Sequence, residues 1–187
     1  MPYEYLPIDP SWVVFETAVE GTFIRAFGNK IRGSTPCHEG LRQVGIDISK
    51  PLKPQYRASD YESAMRVLHT HLFATLTEEA ALRQMGNETT EGFYRTLLGS
   101  ALAKVQPLIG PDRMLTRLPA SITNSSNFMK AELKQRGPRD YQLHVWGSNF
   151  PWYVAGAVER AVAHTGVKPR LDIEELGKFE AWYGVKW

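Results

Sequence analysis

The feature that most constrains this chain is a change of hydrophobic period near Pro119. Before it, apolar residues recur at three- and four-residue steps; past it, they alternate. Helical and strand runs segregated in this way favour an α+β fold with an antiparallel sheet over a doubly wound parallel one. The back half reads as two hairpins around one helix. Phe128 to Arg136, the Gly137-Pro138 turn and Tyr141 to Trp146 make the first hairpin. Tyr141, Leu143 and Val145 share one of its faces, and Gln142, His144 and Trp146 the other. Pro151 suits the first position of a helix whose stripe is Ala155, Val158 and Val162, and Gly166 ends it. Leu171 and Ile173 alternate in a third strand. Phe179, Ala181, Tyr183, Val185 and Trp187 alternate in a fourth.

In the front half, Ser11 is placed to cap a helix through Trp12, Phe15, Val19, Phe23 and Phe27, with Gly28 as its stop. A short helix around Glu39 to Val44 ends at Gly45, and the prolines of Lys50-Pro-Leu-Lys-Pro54 impose an extended link. Ser59-Asp-Tyr-Glu62 has the spacing of a capping box for a helix through Met65, Leu68, Leu72 and Phe73. Thr77-Glu-Glu opens another that runs to Gly86. From about Thr90 a further helix aligns Phe93, Leu97, Ala101 and Val105, until Pro107 and the Gly110-Pro111 break, and Asp112 to Leu118 form a short one. The expected layout is one domain over 1–187: an extended lead (1–10), a mainly helical part (11–118) and an antiparallel sheet with one helix (119–187). The helical part packs on the four-stranded sheet.

Composition excludes whole classes of behaviour. With 187 residues, 43% of them hydrophobic and 22% charged, the chain fills one core and is not globally disordered. Its 22 Lys and Arg against 20 Asp and Glu leave +2, too weak a field to imply nucleic acid. Lys130, Lys134, Arg136 and Arg139 on the first hairpin read as edge protection, because no aromatic ladder interleaves with them. Met1 to Pro10 holds Glu4, Asp9 and three prolines and does not form a secretory signal. The longest apolar run, Trp152 to Val158, is far short of a bilayer. A cytoplasmic protein without a membrane span is expected.

The search for reactive groups yields little. No Gly-x-Gly occurs, so the dinucleotide fingerprint is missing, and the P-loop spacing is missing too. His69 and His71 would point to opposite sides of a helix, and Arg42 stands where His38-Glu39 would need a second histidine, so no metal site is expected. The single thiol, Cys37, adjoins His38, which makes a cysteine-dependent hydrolase the weakest of three functional readings. Ser125 and Ser126 lack a nucleophile elbow, and Glu16 and Glu20 read as a solvated helix face.

Two stretches carry a resemblance. Phe15-Glu-Thr-Ala-Val-Glu-Gly21-Thr-Phe-Ile-Arg-Ala-Phe-Gly28 is the first. The second is Glu91-Gly-Phe-Tyr-Arg-Thr-Leu-Leu-Gly99, followed by Gly110-Pro-Asp-Arg-Met-Leu-Thr-Arg-Leu-Pro119. Together they resemble a myxobacterial paralogous family catalogued as a domain of unknown function, over about Val13 to Trp187. These motifs hold glycine, aromatic and turn positions and no catalytic group. More distantly, the order hairpin, helix, hairpin is similar to the superfamily of haem-NO-binding domains, 4-vinyl-reductase regulators and TRAPP subunits. That likeness implies a helical layer over an antiparallel sheet, enclosing an apolar cavity for haem, small aromatic effectors or an acyl chain, or else a dimerising scaffold. The haem branch carries a Tyr-x-Ser-x-Arg motif and a proximal histidine. The corresponding turn here, Ile122-Thr-Asn-Ser-Ser-Asn-Phe128, has neither Tyr nor Arg in register, so no haem or other cofactor is expected.

Abundant aromatics without a convergent acid, base and nucleophile point to a non-enzymatic module, ligand-binding or regulatory. Its partner would be a small apolar ligand or a protein segment, in a cavity between helices and sheet. The candidate ligand-binding residues are Phe93, Leu97, Trp146 and Trp152, and no catalytic residue is assigned. The alternative is a scaffold without ligand that forms a homodimer through Phe15, Val19 and Phe23.

Overall fold

The computed structural model describes residues 7–187; the part of the expected extended lead before Pro7 lies outside the described residues. Val13–Phe15 form a short strand, β1, where the spacing predicted a first helical turn. It pairs antiparallel with β2 (Gln55–Arg57), Val14 opposite Tyr56, and the Phe15 N–H donates to the Ser125 carbonyl at 3.0 Å. Because these backbone groups find partners in other segments, Ser11 caps no helix. Its hydroxyl and N–H both donate to the Asp9 carboxylate, at 2.7 and 2.8 Å. The helix starts later, as α1 (Glu16–Val19), widens into a π-helical stretch over Glu20–Ala26, and resumes past Gly28 as α2 (Gly28–Arg32). Its apolar period still sets burial: Val19, Phe23, Phe27 and Ile31 are all fully buried.

Ser34 caps α3 (Thr35–Gln43) by accepting from the Cys37 N–H at 3.4 Å. The expected capping box does not form on α4 (Ala58–Leu72). The Ala58 N–H donates instead to the Trp12 carbonyl at 2.9 Å. Thr77 caps α5 (Glu78–Tyr94) as expected, but that helix runs straight through Gly86 and breaks only at Arg95-Thr96. Thr96 then caps α6 (Leu97–Leu115), which bends at Gly110, where φ is 76°, just before Pro111. The predicted stripe Phe93, Leu97, Ala101 and Val105 is therefore cut in two. A last short helix, α7 (Leu118–Thr123), leads to the sheet.

β3 (Lys130–Gly137), β4 (Asp140–Trp146), α8 (Pro151–Ala163), β5 (Arg170–Gly177) and β6 (Glu180–Lys186) follow in the predicted order. The strands pair antiparallel in the spatial order β3-β4-β6-β5. Each hairpin turns on two residues, and the second of each, Arg139 and Phe179, takes a positive φ, 56° and 58°. Phe179 thus belongs to a turn and not to the fourth strand. The sheet's inner face, led by Leu143, Val145, Tyr183 and Val185, is buried with Ala155, Val158 and Val162 of α8 and with Met114 and Leu115. Burying each such side chain contributes roughly 1.5–3 kcal/mol. Tyr183 also donates its hydroxyl to the Pro151 carbonyl at 3.0 Å. The front helices form a second cluster around Phe23, Phe27, Leu41 and Met65. They reach the sheet through α8, the layer between.

Candidate functional site

A cavity of about 530 Å³ runs between the front segments and α8. Trp12, Val14 of β1 and Ala18 of α1 form one wall. Phe93 and Tyr94 close α5 around it, Gln106, Met114 and Ile122 bring in α6 and α7, and Val154, Ala157 and Ala161 come from α8. No strand residue of the four-stranded sheet lines it; residues flanking the strands do, among them Met129, Gly147 and the turn residue Phe179. This corrects the expectation of a cavity between helices and sheet: α8 side chains fill the sheet's inner face, and the space opens one layer further out.

Of the four ligand-binding candidates, Phe93 lines this cavity. Leu97 does not: after the break at Arg95-Thr96 it begins a new helix and stands 91% exposed. Trp146 points to the outer side of the sheet, where its ring lies 3.7 Å from that of His144. Trp152 packs against the front core. The expected dimer face fares no better, since Val19 and Phe23 have no exposed surface and Phe15 is half-buried in β1. A stripe spent on the chain's own core is not free for a second chain.

The polar groups in the wall fall into two kinds. Some are fully engaged. Thr22 Oγ1 lies 2.9 Å from the Tyr61 hydroxyl and 3.1 Å from that of Tyr153. Burial, ahead of the nearby Tyr153, pushes the Tyr61 phenol well above its ordinary value, so it stays neutral. Glu62 accepts from Arg66 at 2.6 Å and from Asn149 at 2.9 Å, and Arg25 is held by Glu20 at 2.7 Å. Others have open valences. The Gln106 amide and the Tyr94 hydroxyl lie 2.6 Å apart, and the other end of that amide, Oε1, has no partner although Gln106 is only 9% exposed. Thr89 Oγ1, also buried in the wall, has none either.

Tyr94 is braced from behind. Its ring centroid lies 3.8 Å from that of His164, whose Nε2 sits 2.7 Å from Glu91 Oε1. Arg160 bonds the same carboxylate. Burial opposes ionisation of Glu91, but the bonds from Arg160 and His164 outweigh it and hold the carboxyl below its usual range.

Among the described residues no reactive cluster faces the cavity. Cys37 lies wholly inside the front core, and burial pushes its thiol up to about 11, the opposite of what a nucleophile needs. This removes the physical basis of a cysteine-dependent hydrolase. Among the described residues no three His, Cys, Asp or Glu side chains converge as metal ligands, and no helix is long and apolar enough to cross a membrane.

Residues 12–187 match the model of the family described as "Protein of unknown function (DUF2378)". The chain belongs to this family. No curated protein sequence matches it. Solved structures of H-NOX domains share its fold. One is an Fe(II) unliganded H-NOX protein mutant from K. algicida, 11% identical, with 89% of this chain and 95% of that one covered and a TM-score of 0.65. A second comes from work on heme distortion in the H-NOX family, 11% identical, covering 90% and 93%, with a TM-score of 0.68. A third is an oxygen-binding H-NOX domain related to soluble guanylate cyclases, 10% identical, covering 91% and 90%, with a TM-score of 0.66.

Among the described residues, the DUF2378 chain puts no imidazole and no thiol into the lining of this cavity to hold a haem iron. None of its five histidines lines it. His144 is engaged on the outer side of the sheet with Glu180, and His164 stands behind Tyr94 with Glu91. Met129 offers a thioether, near Ser125 Oγ at 3.6 Å, whose proton goes to the Ile122 carbonyl at 2.7 Å. Tyr61 is a neutral phenol, a poor axial ligand.

Sequence reading missed Thr89, Tyr94 and Gln106. Gln106 directly precedes Pro107, a position read as a helix end, and no local signal marks an amide whose partner lies twelve residues earlier on another helix.

Proposed function

We propose that this chain is a non-enzymatic module that binds a small, mostly apolar ligand in the cavity bounded by Phe93, Tyr94, Gln106 and Ala157. The observation that carries this reading is the cavity itself. Its volume of about 530 Å³ falls in the range of ligand sites, roughly 300–1,000 Å³, and aromatic and aliphatic side chains with a few polar groups line it. The same fold in an oxygen-binding H-NOX domain supports a ligand-binding role by analogy of architecture. Enzymatic turnover is not part of the reading: among the described residues of the wall, no nucleophile and base are paired.

N-phenyl-1-naphthylamine, a neutral fluorescent probe, tests it. The chain is expected to bind one equivalent with a rise in fluorescence, and Ala157→Phe or Ala18→Trp, which fill the space, should abolish that rise while the fold persists. A wild-type chain that leaves the probe dark, or filled variants that still light it, would end the proposal.

A second reading, a scaffold built from two copies, draws on one observation. Leu97, Leu98 and Leu108 of α6 stand 91%, 66% and 85% exposed. Sedimentation decides it, and a monomer at tens of micromolar, on the order of ordinary interface affinities, removes it.

A further inference from the structure

We infer that the outer face of α6 docks on the surface of an anionic phospholipid bilayer, its leucines entering the acyl boundary and its cations meeting the lipid phosphates. The inference goes beyond the ligand-binding reading and does not depend on it.

α6 is apolar on two sides. Towards the protein, Gly99 and Gln106 are buried, and Leu102 and Ile109 line the cavity. Helical spacing brings Leu97, Ala101, Lys104, Val105 and Leu108 together on the opposite side, and all five are exposed. With Leu98 on the flank, α6 carries four of the five large apolar side chains that stand exposed among the described residues. A helix that is apolar all round is ordinarily enclosed, so an uncovered face of this kind marks a contact.

Charge says which contact. Lys104 stands within the apolar face, Arg95 just before the helix, Arg113 past its bend and Arg117 after its end, all four exposed. None of them has an ion-pair partner among the described residues, whereas Arg25, Arg66, Arg83 and Arg160 each have one. From Gly92 to Pro111 the chain holds no Asp or Glu. Of the acids that bracket this stretch, Glu91 is held by Arg160 and His164, and Asp112 accepts from the Tyr141 hydroxyl at 2.5 Å.

A second copy of the chain fits this face less well. About a two-fold axis the face would meet itself, cations against cations, with no acid in the stretch to answer them. An anionic bilayer supplies both halves of the match: headgroup charge for Lys104 and its neighbours, and an acyl boundary for the leucines. Leu102 and Ile109 line the cavity from the other side of the same helix, so a docked bilayer would sit one helix away from that cavity.

Co-sedimentation with vesicles tests the inference. The full chain should pellet with vesicles of phosphatidylcholine mixed with phosphatidylglycerol, far less with phosphatidylcholine alone, and should be released as salt is raised. Lys104→Gln should weaken binding roughly fivefold, the effect of one cation at an anionic surface. Leu97→Ser combined with Leu108→Ser should weaken it by more than about tenfold; both positions are exposed, and circular dichroism checks the fold. No binding to the anionic vesicles, equal binding to both kinds, or binding that survives the substitutions would overturn the inference. So would a dimer in sedimentation that the double serine variant turns into a monomer, which would give the face to a second copy. Binding of N-phenyl-1-naphthylamine in the cavity stands or falls separately from all of these results.

Discussion

Gly86 of α5 and Gly156 of α8 face each other's helices at backbone distance. A Cβ on Gly86 would lie 2.0 Å from the Tyr153 carbonyl oxygen, and one on Gly156 would lie 1.9 Å from that of Arg83. Two helices can meet this closely only where neither carries a side chain. The crossing sets the position of α8 between the front helices and the sheet, and so the width of the cavity beside it. Gly86→Ala and Gly156→Ala are each expected to destabilise by more than about 2 kcal/mol, against a gain of at most about 1 kcal/mol in helix propensity. Gly21→Ala, with nothing within 4 Å, is the control and should be neutral or mildly stabilising. Urea midpoints at constant slope measure all three; equal midpoints would mean that the helices separate at little cost.

The same pair shows where sequence reading stopped. A glycine after an amphipathic run looks like a helix stop, and Gly86 carries that signature. Only the partner helix, seventy residues away, turns it into a contact. The back half was legible because alternation, the two-residue turn at Pro138 and Pro151 act locally. The start of α1 was not, because Val13–Phe15 take their hydrogen bonds from β2 and Ser125, so a distant pairing overrode a good helical spacing. In the site, Phe93 was legible as an aromatic on a helical stripe. Leu97, one turn later, was not, because Thr96 ends one helix and caps the next.

Glu91 ties α5 to α8. Its carboxyl works against burial and is held below its usual range by Arg160 and His164, so the folded state favours the ionised form. The stability it contributes is present above its ordinary value, 4.5, and is lost as pH falls through the lower folded value. Glu91→Gln should destabilise by about 1–2 kcal/mol at pH 7, on the order expected for a partly buried charged bond, and the difference from wild type should shrink as pH falls below 4.5. Thermal unfolding at stepped pH reads it. A constant difference at every pH would assign the loss to packing.

Cys37 titrates in the other direction. Burial raises its thiol from 9.0 to about 11, which favours the neutral form in the fold. That contribution is complete below pH 9 and is lost as pH rises toward 11, because the unfolded thiol ionises first. The native chain should therefore resist iodoacetamide at pH 8 for hours and react within minutes in urea, followed by mass spectrometry. Rapid labelling of the native chain would place the thiol at a surface that the packing around Phe23 and Leu41 does not provide.

Haem added to the purified chain should not acquire the sharp absorption band of an imidazole-ligated iron. His164 is the histidine best placed to contradict this, since its ring lies 3.8 Å from that of Tyr94, a residue of the cavity wall. Its Nε2 is held by Glu91 at 2.7 Å, so iron would have to approach Nδ1, and Tyr94 would have to leave Gln106 and its place against the imidazole. That move undoes a hydrogen bond between buried groups, worth roughly 0.5–1.5 kcal/mol. Titration of haemin into wild type and His164→Ala should give the same broad, weak spectrum. A sharp band in wild type that His164→Ala removes would show instead that Tyr94 swings aside and opens the cavity onto His164.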